Sequence, residues 1–76
     1  MDEMIVQVRG VENSEYQKIW IDPSYRLKDF IQEFNASQNR TPLLNEVYLL
    51  EEKRFLQMEE TLYKNHLCMM DHLVVI

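Results

Sequence analysis

The feature that most constrains this chain is a change of hydrophobic period within its first forty residues. Met4-Ile5-Val6-Gln7-Val8-Arg9 is β-branched and nearly alternating, with Met4, Val6 and Val8 on one face. Such a pattern fits a half-buried strand, and Gly10 to Glu15 then supply turn chemistry. Tyr16 to Asp22 alternates again, turning Ile19 and Ile21 inward and Lys18, Trp20 and Asp22 outward, until Pro23 removes a ladder donor. From Ser24 the period lengthens. Leu27, Phe30, Ile31 and Phe34 stand at i, i+3, i+4 and i+7 and form one stripe of a helix expected over Arg26 to Ser37, opposite a polar face of Lys28, Asp29, Gln32 and Glu33.

After a polar exit from Asn35 to Pro42, Leu43-Leu44 are expected to tuck back against the core. Val47 to Leu50 reads as a third strand with Val47 and Leu49 inward and Tyr48 outward. The charged turn Glu51-Glu52-Lys53-Arg54 leads to a short edge piece around Phe55 and Leu56. Gln57 to Asn65 is expected to be irregular or a brief helical turn, and His72 to Ile76 a last strand. A helix with one apolar stripe must be covered by the apolar face of a sheet. The order therefore predicts an α+β β-grasp, in which a mixed sheet of four to five strands packs on one main helix. Residues 1–76 make one domain: a chain of this size buries only about 60% of the surface its unfolded form exposes, which leaves no core for a second.

Several functions are disfavoured by composition. Eight basic against thirteen acidic residues give a net charge of −5, whereas nucleic-acid binding draws its affinity from clustered Lys and Arg. The longest apolar runs, such as Leu73 to Ile76, are far shorter than the roughly 20 residues of a bilayer crossing, and Met1-Asp2-Glu3-Met4 is acidic where a signal peptide is basic. A cytoplasmic or nuclear protein without membrane contact is expected. Cys68 is the sole cysteine, which excludes an internal disulfide, and Gly10 the sole glycine, which excludes the glycine-rich loops that cradle phosphates. His66, Cys68, Asp71 and His72 cluster in sequence without the paired spacing of a structural zinc site. No metal, cofactor or catalytic role is assigned to them. Cys68 is expected to be a partly buried small hydrophobe, and the two histidines surface residues. Met69-Met70 are expected to fill core edges or sit singly at the surface, and Glu51-Glu52 and Glu59-Glu60 to be solvated faces.

Read together, these segments resemble ubiquitin over Met4 to Ile76. Met4-Ile5-Val6-Gln7-Val8 resembles its opening strand, and Ile19-Trp20-Ile21-Asp22-Pro23-Ser24 its second strand with an acid-Pro-Ser exit. Leu27, Phe30 and Phe34 fall at the family's helix-core spacing. Thr61-Leu62, Leu67 as a buried aliphatic, and Leu73-Val74-Val75 follow the family's late pattern. The resemblance implies a non-catalytic module of the ubiquitin system that docks proteins through the outward face of its sheet, and that is the N-terminal part of a longer chain. Tyr48, Val74 and Ile76 would form the main contact, with Val11 at the rim; ubiquitin has isoleucine, histidine and valine at the first three positions. Glu46 replaces an arginine, so acidic helices should be repelled and basic or neutral amphipathic ones accepted. Tyr48→Ala and Val74→Asp are expected to spare the fold and remove binding. Trp20, outward on the second strand, is a second candidate contact.

The expected partner is a ubiquitin-system receptor or enzyme, or another domain of the same protein, with the chain itself monomeric or weakly self-associating. The alternative is a ubiquitin-like modifier, or half of a tandem modifier; the sequence stops at Ile76 without the Gly-Gly that conjugation requires. A Ras-association-type β-grasp would need several basic residues on the second strand, where only Lys18 stands, with Arg9 beside it.

Overall fold

The computed structural model describes residues 3–76. Met1 and Asp2, the first half of the acidic start noted above, lie outside the described residues. The elements run β1 (Met4–Gly10), β2 (Gln17–Ile21), α1 (Leu27–Ser37), β3 (Val47–Leu49), β4 (Arg54–Phe55) and β5 (His72–Val75). They form one five-stranded sheet in the order β2-β1-β5-β3-β4. The central pair β1 and β5 is parallel and every other pairing antiparallel. This is the β-grasp expected from the periodicity.

Alternation decides which residues meet the helix. Val6 and Val8 of β1, Ile21 of β2, Val47 and Leu49 of β3, and Leu73 and Val75 of β5 are all buried, and they face the stripe Leu27, Phe30, Ile31 and Phe34. Leu56 and Leu62 close the core from the long connection between β4 and β5, with Met4, Ile19, Met58 and Leu67 packed at its margin. Leu67 is thus a half-covered edge residue, not a fully buried one.

The helix begins at Leu27, one residue later than the pattern predicts, and Arg26 caps it without a side-chain hydrogen bond. Its first free amides are satisfied from a distance instead: Leu27 N–H donates to Glu60 O (2.9 Å) and Lys28 N–H to Met58 O (3.0 Å). A carbonyl thirty residues away leaves no capping signature in the local sequence. That distant loop is itself tied down by Asn65, whose buried amide accepts from Gln57 N–H and donates to Gln57 O and Thr61 O.

Strand ends shift where turns compete. Gly10 continues β1, Leu50 falls out of β3, and the edge strand is Arg54–Phe55, one residue earlier than expected. Leu43 and Leu44 depart from expectation altogether, being 78% and 63% exposed. Their backbone explains this, because both N–H groups donate to Ile76 O and so hold the segment beside the sheet end with the side chains outward. Cys68 is likewise exposed, not partly buried; its N–H is held by the Asp71 carboxylate at 2.7 Å. The acidic pairs are all engaged at the surface, Glu51 by a hydrogen bond to the His72 ring and Glu52, Glu59 and Glu60 by ion pairs to Arg54, Lys28 and Lys64.

Phe30 is central to the helix stripe and nearly inaccessible to solvent. Phe30→Ala is expected to lower unfolding free energy by about 3–5 kcal/mol through the cavity it leaves, measurable by urea denaturation.

Candidate functional site

The outward face of the sheet carries two strips of different character. One is polar and aromatic. Tyr16, just before β2, sets its ring edge-on to His72 of β5 at 4.8 Å, and Arg9 of β1 lies over the Tyr16 ring at 5.3 Å. His72 Nδ1 meets Glu51 Oε2 at 2.5 Å, while the Gln7 amide reaches His72 Nε2 at 2.9 Å and Met70 O at 3.2 Å. With the Gln7 amide donating, Nε2 accepts and Nδ1–H donates to Glu51, so both ring nitrogens are engaged. This is a closed hydrogen-bond chain that ties β1, β5 and the β3–β4 turn together, with no nucleophile bonded to the imidazole. Burial pushes the Glu51 carboxyl up, but the His72 side chain and backbone N–H (2.8 Å) outweigh it and hold it below the usual carboxylate range. Asp71 shifts the other way, raised by burial and by Glu51 and Glu52 against the bond from Cys68 N–H.

The second strip is apolar. Tyr48 of β3 pairs with Val74 of β5 on one side and with Phe55 of β4 on the other, and the two rings meet edge to face at 5.1 Å. Phe55 is 52% exposed, Tyr48 and Ile76 are half-buried, and Val11 is exposed. Val74 points outward as the register requires, yet it is only 7% exposed, because Arg9 and Tyr48 flank it in the neighbouring strands. A carboxylate there would be forced among covered side chains, so Val74→Asp is not the fold-neutral probe the sequence pattern predicts. Phe55 takes that place. The sequence pattern puts Phe55 on the edge strand without a role; the signal for one is its cross-strand partnership with Tyr48, which depends on a turn length the pattern leaves open. Leu43 and Leu44, exposed and bonded through their backbone to Ile76 O, lie at the same end of the sheet, and Glu46, whose carbonyl accepts Ile76 N–H at 2.8 Å, stands beside Ile76. Trp20 lies apart, 61% exposed at the far edge of the sheet. The five predicted contact residues therefore fall into two places, with Val11, Tyr48, Val74 and Ile76 at one end of the face and Trp20 at the other.

One buried cation sets the position of Val11 and Ile76. Arg40, with its side chain 6% exposed, binds both oxygens of Glu12 (2.6 and 2.8 Å), the side-chain oxygen of Asn35 at the end of α1, and Val75 O at 3.0 Å. It thereby clamps the β1–β2 hairpin, the helix exit and the end of β5. The clamp passes directly over Gly10, where a Cβ would lie 2.7 Å from Arg40 Cζ and 2.6 Å from Glu12 Oε2. That close approach, not backbone freedom, is the reason for the chain's single glycine. Among the described residues no group of three or more His, Cys, Asp or Glu side chains could hold a metal ion, and no helix is long and apolar enough to cross a membrane.

The strand order and the helix packed on the sheet make a ubiquitin-like β-grasp fold, and solved structures agree. A structure described as "Molecular Mimicry of SUMO promotes DNA repair" matches with a TM-score of 0.77 at 17% identity, over 100% of this chain and 92% of that one. The ubiquitin of Caldiarchaeum subterraneum matches with a TM-score of 0.73 at 17% identity, over 99% and 92%. A chain of a toluene 4-monooxygenase complex matches with a TM-score of 0.76 at 10% identity, over 97% and 96%, so the fold is also used inside an enzyme assembly. No protein-family model and no curated protein matches the sequence.

The Arg40 hydrogen bond, with a backbone bond and the cation's charge behind it, lowers the Glu12 carboxyl from 4.5 to about 2. Because the folded value lies below the unfolded one, this link stabilises the fold above about pH 4.5 and is lost as pH falls toward 2. Glu12→Gln is expected to flatten that acid limb modestly, since the carboxylate is half exposed, as read by thermal melts against pH. Gly10→Ala, which must push the clamp aside, is expected to cost about 1–3 kcal/mol at neutral pH in a denaturant titration.

Proposed function

We propose that the chain is a non-catalytic ubiquitin-like interaction module of the ubiquitin system, docking a protein partner through the Tyr48–Phe55 end of its outward sheet face. The observation that carries the reading is the aromatic pair. Two rings stand in edge-to-face contact, one of them more than half exposed, at the end of the sheet where Val11, Leu43 and Leu44 are also exposed. Aromatic anchors within an apolar surface are the composition of interface hot spots, and contiguous exposure of this kind marks a contact site more often than it occurs by chance. Both ring nitrogens of His72, in the neighbouring polar strip, are engaged in hydrogen bonds, and the Tyr48–Phe55 strip offers apolar side chains, which supports binding over catalysis.

Charge narrows the partner. Glu46 carries no ion-pair partner among the described residues and the chain carries a net charge of −5, so the reading favours a neutral or basic amphipathic segment over an acidic one. Such a partner is a receptor or enzyme of the ubiquitin system, or another domain of the same protein, met in the cytoplasm or nucleus. The modifier reading shares this fold and this face, and differs in requiring a C-terminal glycine carboxylate beyond Ile76.

The test uses immobilised protein to recover its partner from source cells, followed by calorimetry with that partner purified. Phe55→Asp and Tyr48→Ala are expected to keep the wild-type circular dichroism and weaken binding by tenfold or more, or about 1.4 kcal/mol. Wild-type affinity in both variants would remove this face from the account.

A further inference from the structure

At the other end of the sheet, β2 is an edge strand with Trp20 exposed and, among the described residues, no strand beyond it. Its unpaired backbone groups can be named. Gln7 N–H donates to Asp71 O, Met70 N–H to Ile5 O and Val11 N–H to Val75 O, so the odd residues of β1 direct their backbone toward β5. The even residues Met4, Val6 and Val8 then pair with Ile21, Ile19 and Gln17. By the alternation of an antiparallel ladder, Lys18 and Trp20 direct their N–H and C=O groups away from the sheet. Four ladder groups stand open on two adjacent same-face residues, flanked by a cleft lined by Ile19, Ile21, Phe30 and Phe34.

We propose that this edge pairs with the same edge of a second copy, antiparallel about a two-fold axis at Ile19, joining two five-stranded sheets into one of ten strands. In that register Lys18 of each copy lies opposite Trp20 of the other. Both residues offer an outward N–H and C=O, so the two symmetric pairs make four backbone hydrogen bonds and use every open group. Their side chains share the outward face, which brings each ammonium to an indole across the strands. Lys18 makes no ion pair among the described residues and is free to do this. On the opposite face Ile19 meets Ile19, and the two apolar clefts close against each other.

Neighbouring registers are worse. Sliding one way sets Lys18 against Lys18, a like-charge pair. Sliding the other way sets Lys18 against Asp22, whose carbonyl already accepts Tyr25 N–H at 3.0 Å and whose carboxylate already accepts Ser24 N–H at 2.9 Å. A slip by one residue points the backbone groups the wrong way. Self-complementarity in a single register is what a two-fold interface requires, and it favours a second copy over an unrelated strand. The opposing term is charge: Glu33 at each cleft rim and the net −5 of each copy repel, in solvent where salt screens them.

The test is sedimentation equilibrium of the full chain over a concentration series at physiological salt. The weight-average mass is expected to rise from 9.3 kDa toward twice that value. Trp20→Lys, at an exposed position, places Lys18 opposite a lysine in both pairs and is expected to weaken dimerisation about tenfold or more. Lys18→Pro deletes one open donor per copy at an edge position that tolerates proline, and is expected to weaken it as well. Hydrogen exchange in wild type is expected to slow at the Lys18 and Trp20 amides as concentration rises. A mass fixed at 9.3 kDa up to the solubility limit overturns the proposal. So does a dimer that both variants leave intact, or one that leaves these two amides unprotected.

Discussion

The geometry of this domain depends on Arg40 more than on any other polar group. Its guanidinium joins three segments that are far apart in sequence: the first hairpin through Glu12, the helix exit through Asn35 and the last strand through Val75 O. A planar fork with five donors suits that task, because it can satisfy a carboxylate bidentately and still reach an amide and a carbonyl. A charge so nearly buried is tolerable only when paired and hydrogen-bonded on every side. Gly10 is the counterpart of the clamp, leaving the space through which Arg40 passes.

From the clamp follows the placement of the proposed contact face. Val11 leaves β1 with its N–H on Val75 O at 2.9 Å, and Ile76 accepts from Leu43 and Leu44, so the apolar rim is assembled where the clamp closes the sheet. The aromatic pair Tyr48–Phe55 then adds a rigid, exposed surface beside that rim. Across the sheet the Tyr16–His72–Glu51 chain covers the middle with polar and aromatic groups, separating the rim from Trp20. Two areas with different chemistry thus occupy opposite ends of one face: the exposed aromatic surface proposed to meet a partner, and the open β2 edge proposed to pair with a second copy.

The fold was legible because its period changes were clean. Alternation in Met4 to Arg9 and Tyr16 to Asp22, then the helical stripe Leu27, Phe30, Ile31 and Phe34, admit few other arrangements, and each inward residue named from the pattern lies in or against the core. What escaped depends on distance in space. The helix N-terminus is capped by Glu60 and Met58 carbonyls, Val74 is covered by its neighbours in two other strands, and Leu43-Leu44 are held outward by the last carbonyl. Arg40 reads as one more loop cation until the hairpin, helix exit and last strand are brought together. The face was legible as to side but not as to cover, which is why Phe55 displaces Val74 as its exposed apolar member.

If Arg40 holds the rim of the proposed contact face, native-state hydrogen exchange of Arg40→Met against wild type will show it. Local loss of protection is expected at the Val11, Leu43 and Leu44 amides beyond any general decrease, with the β1 amides of Val6 and Val8 changed only by the global loss of stability. A uniform change across all these amides, or none, would contradict it.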